Sequence, residues 1–290
     1  MAIYDKDGLE LGMAFAPSGA ELPSAFDAEG VQVYTNIHNL KVMTYNVGSW
    51  YDGMHDNVPA DKDADYYALQ KGIITSHNPD ILFMNEYTQE FSKAGRTAVS
   101  FLQECGFAYI HEQGGATTTV TNGRCIASKY PLSNYTVRNF NDGSTYYYDT
   151  CVVTVGGIPI NLMITHLHWN DRSKRESELA SIMGVLSGFT RFIFAGDFNT
   201  TDCYDTTGLD YTAIIAPLIN AGYNVANCGD FGFITTYYDQ PTHGDYTGVL
   251  DNIVTSENIE ITSVTRDETK LYDGLQDHID HLPLIATLEF

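Results

Sequence analysis

The sequence predicts an α/β fold in which two β-sheets pack face to face and helices cover their outer faces. Three observations carry that expectation. From Val33 onward, apolar runs of strand length alternate with stretches of helical spacing. The strands are joined in part by hairpins and in part by helices, which argues for a layered α/β sandwich. And the chain, 290 residues with 43% hydrophobic and 18% charged, has the composition of a folded globular protein with a sizeable core.

Residues 1–36 stand apart as a short β-repeat extension. Tyr4-Asp-Lys-Asp-Gly-Leu-Glu-Leu11, Phe15-Ala-Pro-Ser-Gly-Ala-Glu-Leu22 and Phe26-Asp-Ala-Glu-Gly-Val-Gln-Val33 recur with a period of eleven. Each gives an aromatic residue, a polar turn ending in Gly8, Gly19 or Gly30, and an apolar-polar-apolar triplet, a turn-and-strand signature. Units this short cannot bury a core alone. The extension is therefore expected to dock on its own main domain, a second copy or a larger assembly.

Residues 37–290 form the main domain. A buried strand is expected over 40–47, a helix over 61–76, and a strand over 80–85 behind the Asn78-Pro79 breaker. A helix follows at 97–105, then strands near 107–111, 124–128 and 133–140. Strands over 151–155 and 160–165 flank Gly156-Gly157, a two-residue hairpin signal. Arg175, Leu179, Ile182, Met183 and Leu186 recur at helical spacing and place a helix over 174–186. Strands at 191–195, 249–255 and 284–289 and a helix near 211–221 complete the pattern.

Polar residues fall at the ends of these apolar strands. Asn46 closes Lys-Val-Met-Thr-Tyr-Asn, Glu86 follows Ile-Leu-Phe-Met-Asn, and His166 follows Leu-Met-Ile-Thr. Asp197 and Asn199 follow Phe-Ile-Phe-Ala-Gly, Asp251 lies in Val-Leu-Asp-Asn-Ile-Val, and His278-Ile-Asp280-His281 precedes the last strand. A carboxylate beside a buried strand is costly unless it is paired or bound to a cation. Several on one rim suggest a hard-metal site built from oxygen ligands.

Met43-Thr-Tyr-Asn46-Val, Asn85-Glu86, Thr165-His166-Leu167, Gly196-Asp197-Phe198-Asn199, Leu250-Asp251-Asn252-Ile253 and Asp280-His281-Leu282-Pro283 resemble, in order, the motifs of the endonuclease/exonuclease/phosphatase superfamily. That is the superfamily of deoxyribonuclease I, exonuclease III-type repair enzymes, neutral sphingomyelinases and inositol polyphosphate phosphatases. The resemblance covers about Asn39 to Phe290 and implies a four-layered αββα sandwich. It also implies hydrolysis of a phosphate ester with a divalent cation, magnesium foremost, with manganese or calcium as alternatives. The N-terminal repeats resemble short repeats in bacteriophage tail and other minor structural proteins.

What the resemblance implies for individual residues follows the motifs. Glu86 is the principal metal ligand, with Asn46 and Asp280 near the same ion or a second one. Asp251 and His281 form a hydrogen-bonded pair in which the imidazole serves as general base or as electrostatic support. Asp197 and Asn199 orient the nucleophile and a phosphoryl oxygen, and His166 donates to a phosphoryl oxygen or protonates the leaving group. The family's usual Gln-Glu is Asn85-Glu86 here. Each residue also has a structural alternative: a strand-end turn for Asn46, a solvated loop acid for Glu86, an Asx turn for Asp197 and Asn199, a core histidine for His166. His168 is read as structural, and Tyr146-Tyr147-Tyr148 as strand packing rather than a base-stacking platform.

Charge bears on the substrate. Fifteen Lys and Arg against 37 Asp and Glu leave a formal net charge of −22, which argues against a basic scaffold coating nucleic acid, since Lys and Arg supply non-specific affinity for phosphate. Arg124, Lys129, Arg172, Lys174 and Arg175 are the scarce cations between the motifs; solvated surface is their default reading, with Arg124, Arg172 and Arg175 the candidates to reach a substrate phosphate. The reading favours a phosphodiesterase or nuclease. A phosphatase or phosphodiesterase for a small-molecule or lipid-linked phosphate is the alternative, and a non-catalytic structural module a third. Cys105, Cys125, Cys151, Cys203 and Cys228 are odd in number and lack any CxxC pair, so they read as buried thiols rather than a disulfide framework or zinc knuckle. Neither a leader-like N-terminus nor a membrane-length apolar run is visible, an expectation of a cytoplasmic or phage-associated protein.

Overall fold

The computed structural model describes residues 25–26, 32–33, 38–48, 63–88, 90–91, 96–112, 123–140, 147–238, 247–267 and 281–290. Of the N-terminal repeats, only the antiparallel pairing of Ala25–Phe26 with Gln32–Val33 falls within these residues. Asp280, His278 and Tyr146 lie outside them.

Twelve strands make two six-stranded sheets. They are β1 (Asn39–Asn46), β2 (Ile81–Asn85), β3 (Tyr109–Glu112), β4 (Arg124–Ser128), β5 (Leu132–Asn139), β6 (Tyr147–Val155), β7 (Ile158–His166), β8 (Phe192–Asp197), β9 (Asn224–Val225), β10 (Asp251–Thr255), β11 (Glu260–Arg266) and β12 (Leu284–Glu289). One sheet has the order β11-β12-β1-β2-β4-β3 and the other β9-β10-β8-β7-β6-β5. Each contains one central parallel pair, β1 with β2 and β7 with β8, among antiparallel neighbours. Helix α1 (Asp63–His77) connects the first parallel pair and α3 (Arg172–Leu186) the second, as the crossover a parallel join needs. The helix α2 (Ala98–Glu104) starts at Thr97, whose hydroxyl accepts the Ser100 N–H at 3.1 Å. A π-helical turn at Tyr211–Ile215 runs into α4 (Ala216–Asn220).

Alternation of side chains along each strand sorts the apolar residues into three layers. Leu40, Val42, Phe83, Ile126, Val153, Leu162, Ile164, Ile193, Ala195, Ile253 and Ala286 meet between the sheets. Met43, Tyr45, Leu82 and Met84 point the other way and pack with Ile74, Phe101 and Leu102 of α1 and α2. Met163, Phe192, Phe194 and Val254 do the same against Leu179, Ile182, Ile215 and Leu218. The result is the four-layered αββα sandwich. Gly156 (φ 57°) and Gly157 (φ 84°) close the β6–β7 hairpin, as positive φ at both central positions requires.

The same alternation places the polar strand ends. Asn46 continues the inward face of Leu40 and Val42, Asn85 that of Ile81 and Phe83, and His166 that of Leu162 and Ile164. Asp197 extends the stripe of Ile193 and Ala195, and Asp251 that of Ile253. One rim of the inter-sheet core therefore ends in carboxylates, carboxamides and imidazole rather than aliphatic groups.

Candidate active site

Two rungs of the sheets face each other at that rim. In one sheet the register pairs His166 with Asp197 and Asp197 with Asp251, so three titratable residues lie side by side on β7, β8 and β10. In the other, Asn46 pairs with Asn85 and Asn85 with Arg124. Glu86 follows directly on Asn85, and His281 precedes β12.

Asp197 is the hub. Its Oδ2 accepts from Asn46 Nδ2 at 3.0 Å and faces His166 Nε2 at 3.4 Å and His281 Nε2 at 3.6 Å. Its Oδ1 accepts the Asn199 N–H at 2.8 Å. Asn46 Nδ2 donates also to Glu86 Oε1 at 3.1 Å, while Asn46 Oδ1 accepts the Gly48 N–H at 3.1 Å. Asn199 Nδ2 donates to the Leu167 carbonyl at 2.8 Å, tying the turn after β8 to the end of β7. Asn46, Glu86, His166, Asp197, Asn199, Asp251 and His281 thus share one neighbourhood. Glu86 is the most open of them; the other six are buried.

His281 Nδ1 lies 2.7 Å from Asp251 Oδ2. With Asp251 ionised, a carboxylate can only accept, so Nδ1 carries the proton and Nε2 presents its lone pair to the site. Burial pushes the Asp251 carboxyl above the usual carboxylate range; the facing imidazole lowers it only in part, while Asp197 adds to the rise. The Thr236 hydroxyl accepts the Leu250 and Asp251 N–H groups at 3.1 and 3.0 Å, and the Tyr237 ring meets the His281 ring edge-on with centroids 5.2 Å apart. Thr236, Tyr237 and Asn227, whose Nδ2 donates to the Asp251 carbonyl at 3.1 Å, hold the pair in place. Nothing in their sequence context marks them, because each acts through backbone groups or packing.

Two site residues occupy the left-handed region: Glu86 at φ 52° and Asn199 at φ 52°. Asparagine tolerates this conformation; glutamate adopts it at a cost of roughly 1 kcal/mol. Gly196 is required for a related reason. A Cβ there would lie 2.0 Å from the Thr165 carbonyl oxygen and 3.1 Å from Asn85 Oδ1.

The three candidate substrate cations are engaged by protein carboxylates. Arg124 is fully buried; its Nη2 meets Asp149 Oδ1 at 3.0 Å across the sheets, and its guanidinium lies 5.4 Å from the Tyr147 ring centroid. Arg175, also buried, donates to Asp210 Oδ1 at 2.7 Å and to the carbonyls of His168 and Trp169 at 2.9 and 3.3 Å. Arg172 Nε donates to Asp210 Oδ1 at 2.9 Å, with its side chain 35% exposed. The His168 backbone N–H donates to Glu178 Oε2 at 2.9 Å, and Tyr148 packs on Phe140.

The donor set suits an oxygen-preferring divalent cation. Asp197, Asp251 and His281 offer ligand atoms within 4.8 Å of one another, and Glu86, bridged to Asp197 through Asn46 Nδ2, adds a carboxylate from the opposite rung. Two carboxylates this close repel each other unless positive charge lies between them. Carboxylate oxygens with limited imidazole fit magnesium or manganese better than soft-ligand metals, while Asn46, whose Oδ1 accepts the Gly48 N–H, presents its amide nitrogen to these carboxylates.

Comparison with known proteins shows the family and the fold. The model of the Endonuclease/Exonuclease/phosphatase family matches residues 43–278. A search of curated proteins finds no sequence relative. Among solved structures, truncated TDP2 from Caenorhabditis elegans is similar at 18% identity and a TM-score of 0.63, over 86% of this chain and 97% of that one. D. rerio TDP2 complexed with single strand DNA product gives 15% identity and 0.66, over 86% and 98%. ANGEL2, a 2′,3′-cyclic phosphatase in complex with adenosine-2′,3′-vanadate, gives 15% and 0.61, over 93% and 99%. Among the described residues no helix is long and apolar enough to cross a membrane.

Proposed function

The chain belongs to the endonuclease/exonuclease/phosphatase family, and from that premise we propose that this phosphoric ester hydrolase cleaves a phosphodiester of a nucleic acid or nucleotide by in-line attack of water, with a divalent cation bound. The observation that carries the reading is the rung His166–Asp197–Asp251 facing Asn46 and Glu86, with His281 backed by Asp251 at 2.7 Å.

Glu86 and Asn46, with Asp280 beside His281 in sequence, would hold magnesium or manganese, which when bound offsets negative charge developing on phosphoryl and leaving oxygens. His281 Nε2 takes a proton from the attacking water as general base, and Asp251 stabilises the resulting imidazolium. Asp197 and Asn199 orient the water and one phosphoryl oxygen, converting a bimolecular encounter into a positioned one. His166, whose Nε2 lies 3.4 Å from the Asp197 carboxylate, donates to a phosphoryl or leaving oxygen.

Similar folds whose structures contain single-stranded DNA or an adenosine-2′,3′-vanadate support a nucleic-acid or nucleotide substrate. The net charge of −22 favours a second reading, a small-molecule or lipid-linked phosphate ester, because a large polyanion is repelled at long range. Assays of plasmid nicking, single-stranded oligonucleotide cleavage and phosphate release from monoesters, each with Mg²⁺, Mn²⁺ or Ca²⁺ and an Asp197→Ala control, test both. Cleavage of oligonucleotide or plasmid lost in the control supports the first reading. Monoester hydrolysis alone replaces it with the second, and no hydrolysis of any ester overturns both.

A further inference from the structure

We propose that Cys203 and Cys228 close an intramolecular disulfide when the chain folds in an oxidising environment, pinning the segment that leaves Asp197 to the segment that braces Asp251. The two Sγ atoms lie 2.9 Å apart, inside the contact distance of two non-bonded sulfur atoms. Both side chains are buried in the layer between the β7–β8–β10 face and its helices.

The two segments are neighbours of the site on opposite sides. Cys203 lies six residues beyond Asp197, on a stretch tied to Asp210 through the Asp202 N–H at 2.8 Å and to Val249 through the Thr200 hydroxyl. Cys228 follows Asn227, which bonds both the Asp251 carbonyl and the Asn252 side chain. The backbone of Cys228 is left-handed (φ 68°) and is held there by its N–H to the Gly232 carbonyl at 2.8 Å. Side chains 25 residues apart in sequence thus meet because ordered backbone on both sides brings them together.

The reaction balances with a small disulfide such as glutathione disulfide as oxidant. One cysteine thiolate attacks it, forming a mixed disulfide and releasing one glutathione thiolate. The second cysteine thiolate attacks the protein sulfur of the mixed disulfide and releases the other. Two protein thiols are oxidised to one disulfide, one glutathione disulfide is reduced to two thiols, and the two cysteine protons end on those thiols. In the folded chain this exchange is slow. The neighbouring Cys203 sulfur and burial together push the Cys228 thiol far above its ordinary range, and only the thiolate reacts. The bond therefore forms during folding and is afterwards shielded from soluble reductants.

The test is refolding of the full chain from denaturant with reduced and oxidised glutathione, or with excess dithiothreitol, followed by denaturing alkylation and peptide mapping. Three of the five cysteines should alkylate after oxidising refolding, with one cross-linked peptide pair containing Cys203 and Cys228. All five should alkylate after reducing refolding. The oxidised form should melt higher by roughly 4–12 °C, and a Cys203→Ala/Cys228→Ala chain should show no such difference between the two conditions. Five alkylated cysteines after oxidising refolding, or a bridge between other cysteines, overturns the proposal. The mapping is done on the unsubstituted chain, so it stands whether or not the double variant folds.

Discussion

Asn85 joins the two sheets at Asp197: its Oδ1 accepts the Asp197 backbone N–H at 3.0 Å and its Nδ2 donates to the Thr165 carbonyl at 2.8 Å. The side chain thereby occupies the space that Gly196 leaves open, and it fixes the rung carrying His166 and Asp197 against the rung carrying Asn46. Asn85→Ala removes a donor and an acceptor and leaves two backbone groups buried without those partners. The expected loss is about 1–3 kcal/mol of stability for each group so stranded. Asn85→Asp should be worse, because a carboxylate oxygen then faces the Thr165 carbonyl. Chemical denaturation curves check both, and Asn85→Gln, the residue usual in the family, should retain more activity than either.

The pair of His281 with Asp251 makes a second prediction. His281→Ala should lower kcat by roughly 10²–10⁴, the contribution of a positioned general acid or base. Asp251→Asn keeps the shape but allows the amide to donate to Nδ1, which favours the tautomer with the proton on Nε2 and removes the lone pair that accepts from water. Its kcat should fall towards that of His281→Ala with little change in KM. Steady-state kinetics on a phosphodiester substrate decide it; equal kcat in Asp251→Asn and the parent would remove the pair from the mechanism.

Much of this site is legible in the sequence because strand periodicity is strict. His166 and Asp197 lie two residues beyond an inward-facing aliphatic residue and Asp251 two before one, so their direction follows from counting. The bonds of Asn85, Asn227 and Thr236 are not legible there, since they run to backbone atoms as far as 112 residues away. The strand expected to start at Cys151 starts at Tyr147 instead. The added residues include Asp149, a carboxylate inside the core that Arg124 of the other sheet pairs at 3.0 Å. Edge strand Glu260–Arg266 is weakly marked in the sequence because its polar residues alternate only loosely and a register shift interrupts its pairing. The helix expected near 211–221 is present, but it begins as a π-helical turn ahead of Pro217, where a proline lacks the N–H for a regular turn.

Arg124 and Asp149 form an ion pair with side chains 0% and 1% exposed, and Tyr135 donates a second bond to Asp149, to Oδ2 at 3.0 Å. Removing one partner leaves the other charge buried, so Arg124→Ala and Asp149→Ala should each cost about 3–5 kcal/mol. The double variant should cost clearly less than their sum, since it strands no charge. A double-mutant cycle by urea denaturation measures the difference; simple additivity would mean the two groups do not act as a pair.

Acid stability should report on Asp210. Burial alone would raise its carboxyl, but the hydrogen bonds from Arg175 and Arg172 and the Asp202 N–H outweigh it and leave the group below the usual carboxylate range. A depressed folded-state pKa contributes stability that is fully present above the unfolded value of about 3.9 and is lost as pH falls through the folded one. The stability difference between the parent and Asp210→Asn should therefore be constant from neutral pH to about 5 and shrink below about 4. Thermal melts of the two chains across that range check it. The same variant should loosen the turns after β7 and β8, because Arg175 holds the His168 and Trp169 carbonyls from the same anchor.

Glu86 separates stability from activity. Its φ of 52° costs a glutamate what it does not cost a glycine, so Glu86→Gly relieves backbone strain and should stabilise the fold by roughly 0.5–1 kcal/mol. The same change removes a carboxylate from the rung opposite Asp197 and with it the hard ligand proposed for the cation. Activity should fall by at least about 10², the loss expected when a metal's electrostatic contribution of several kcal/mol is largely withdrawn. Glu86→Gln keeps the size and the strain, so it should lose activity without gaining stability. In the parent, chelation by EDTA should abolish hydrolysis and added Mg²⁺ or Mn²⁺ should restore it, whereas in Glu86→Gly restoration should require much higher metal. If Glu86→Gly melts lower than the parent, the left-handed backbone is not a source of strain. If it hydrolyses its substrate at the parent's rate and metal concentration, Glu86 does not hold the ion.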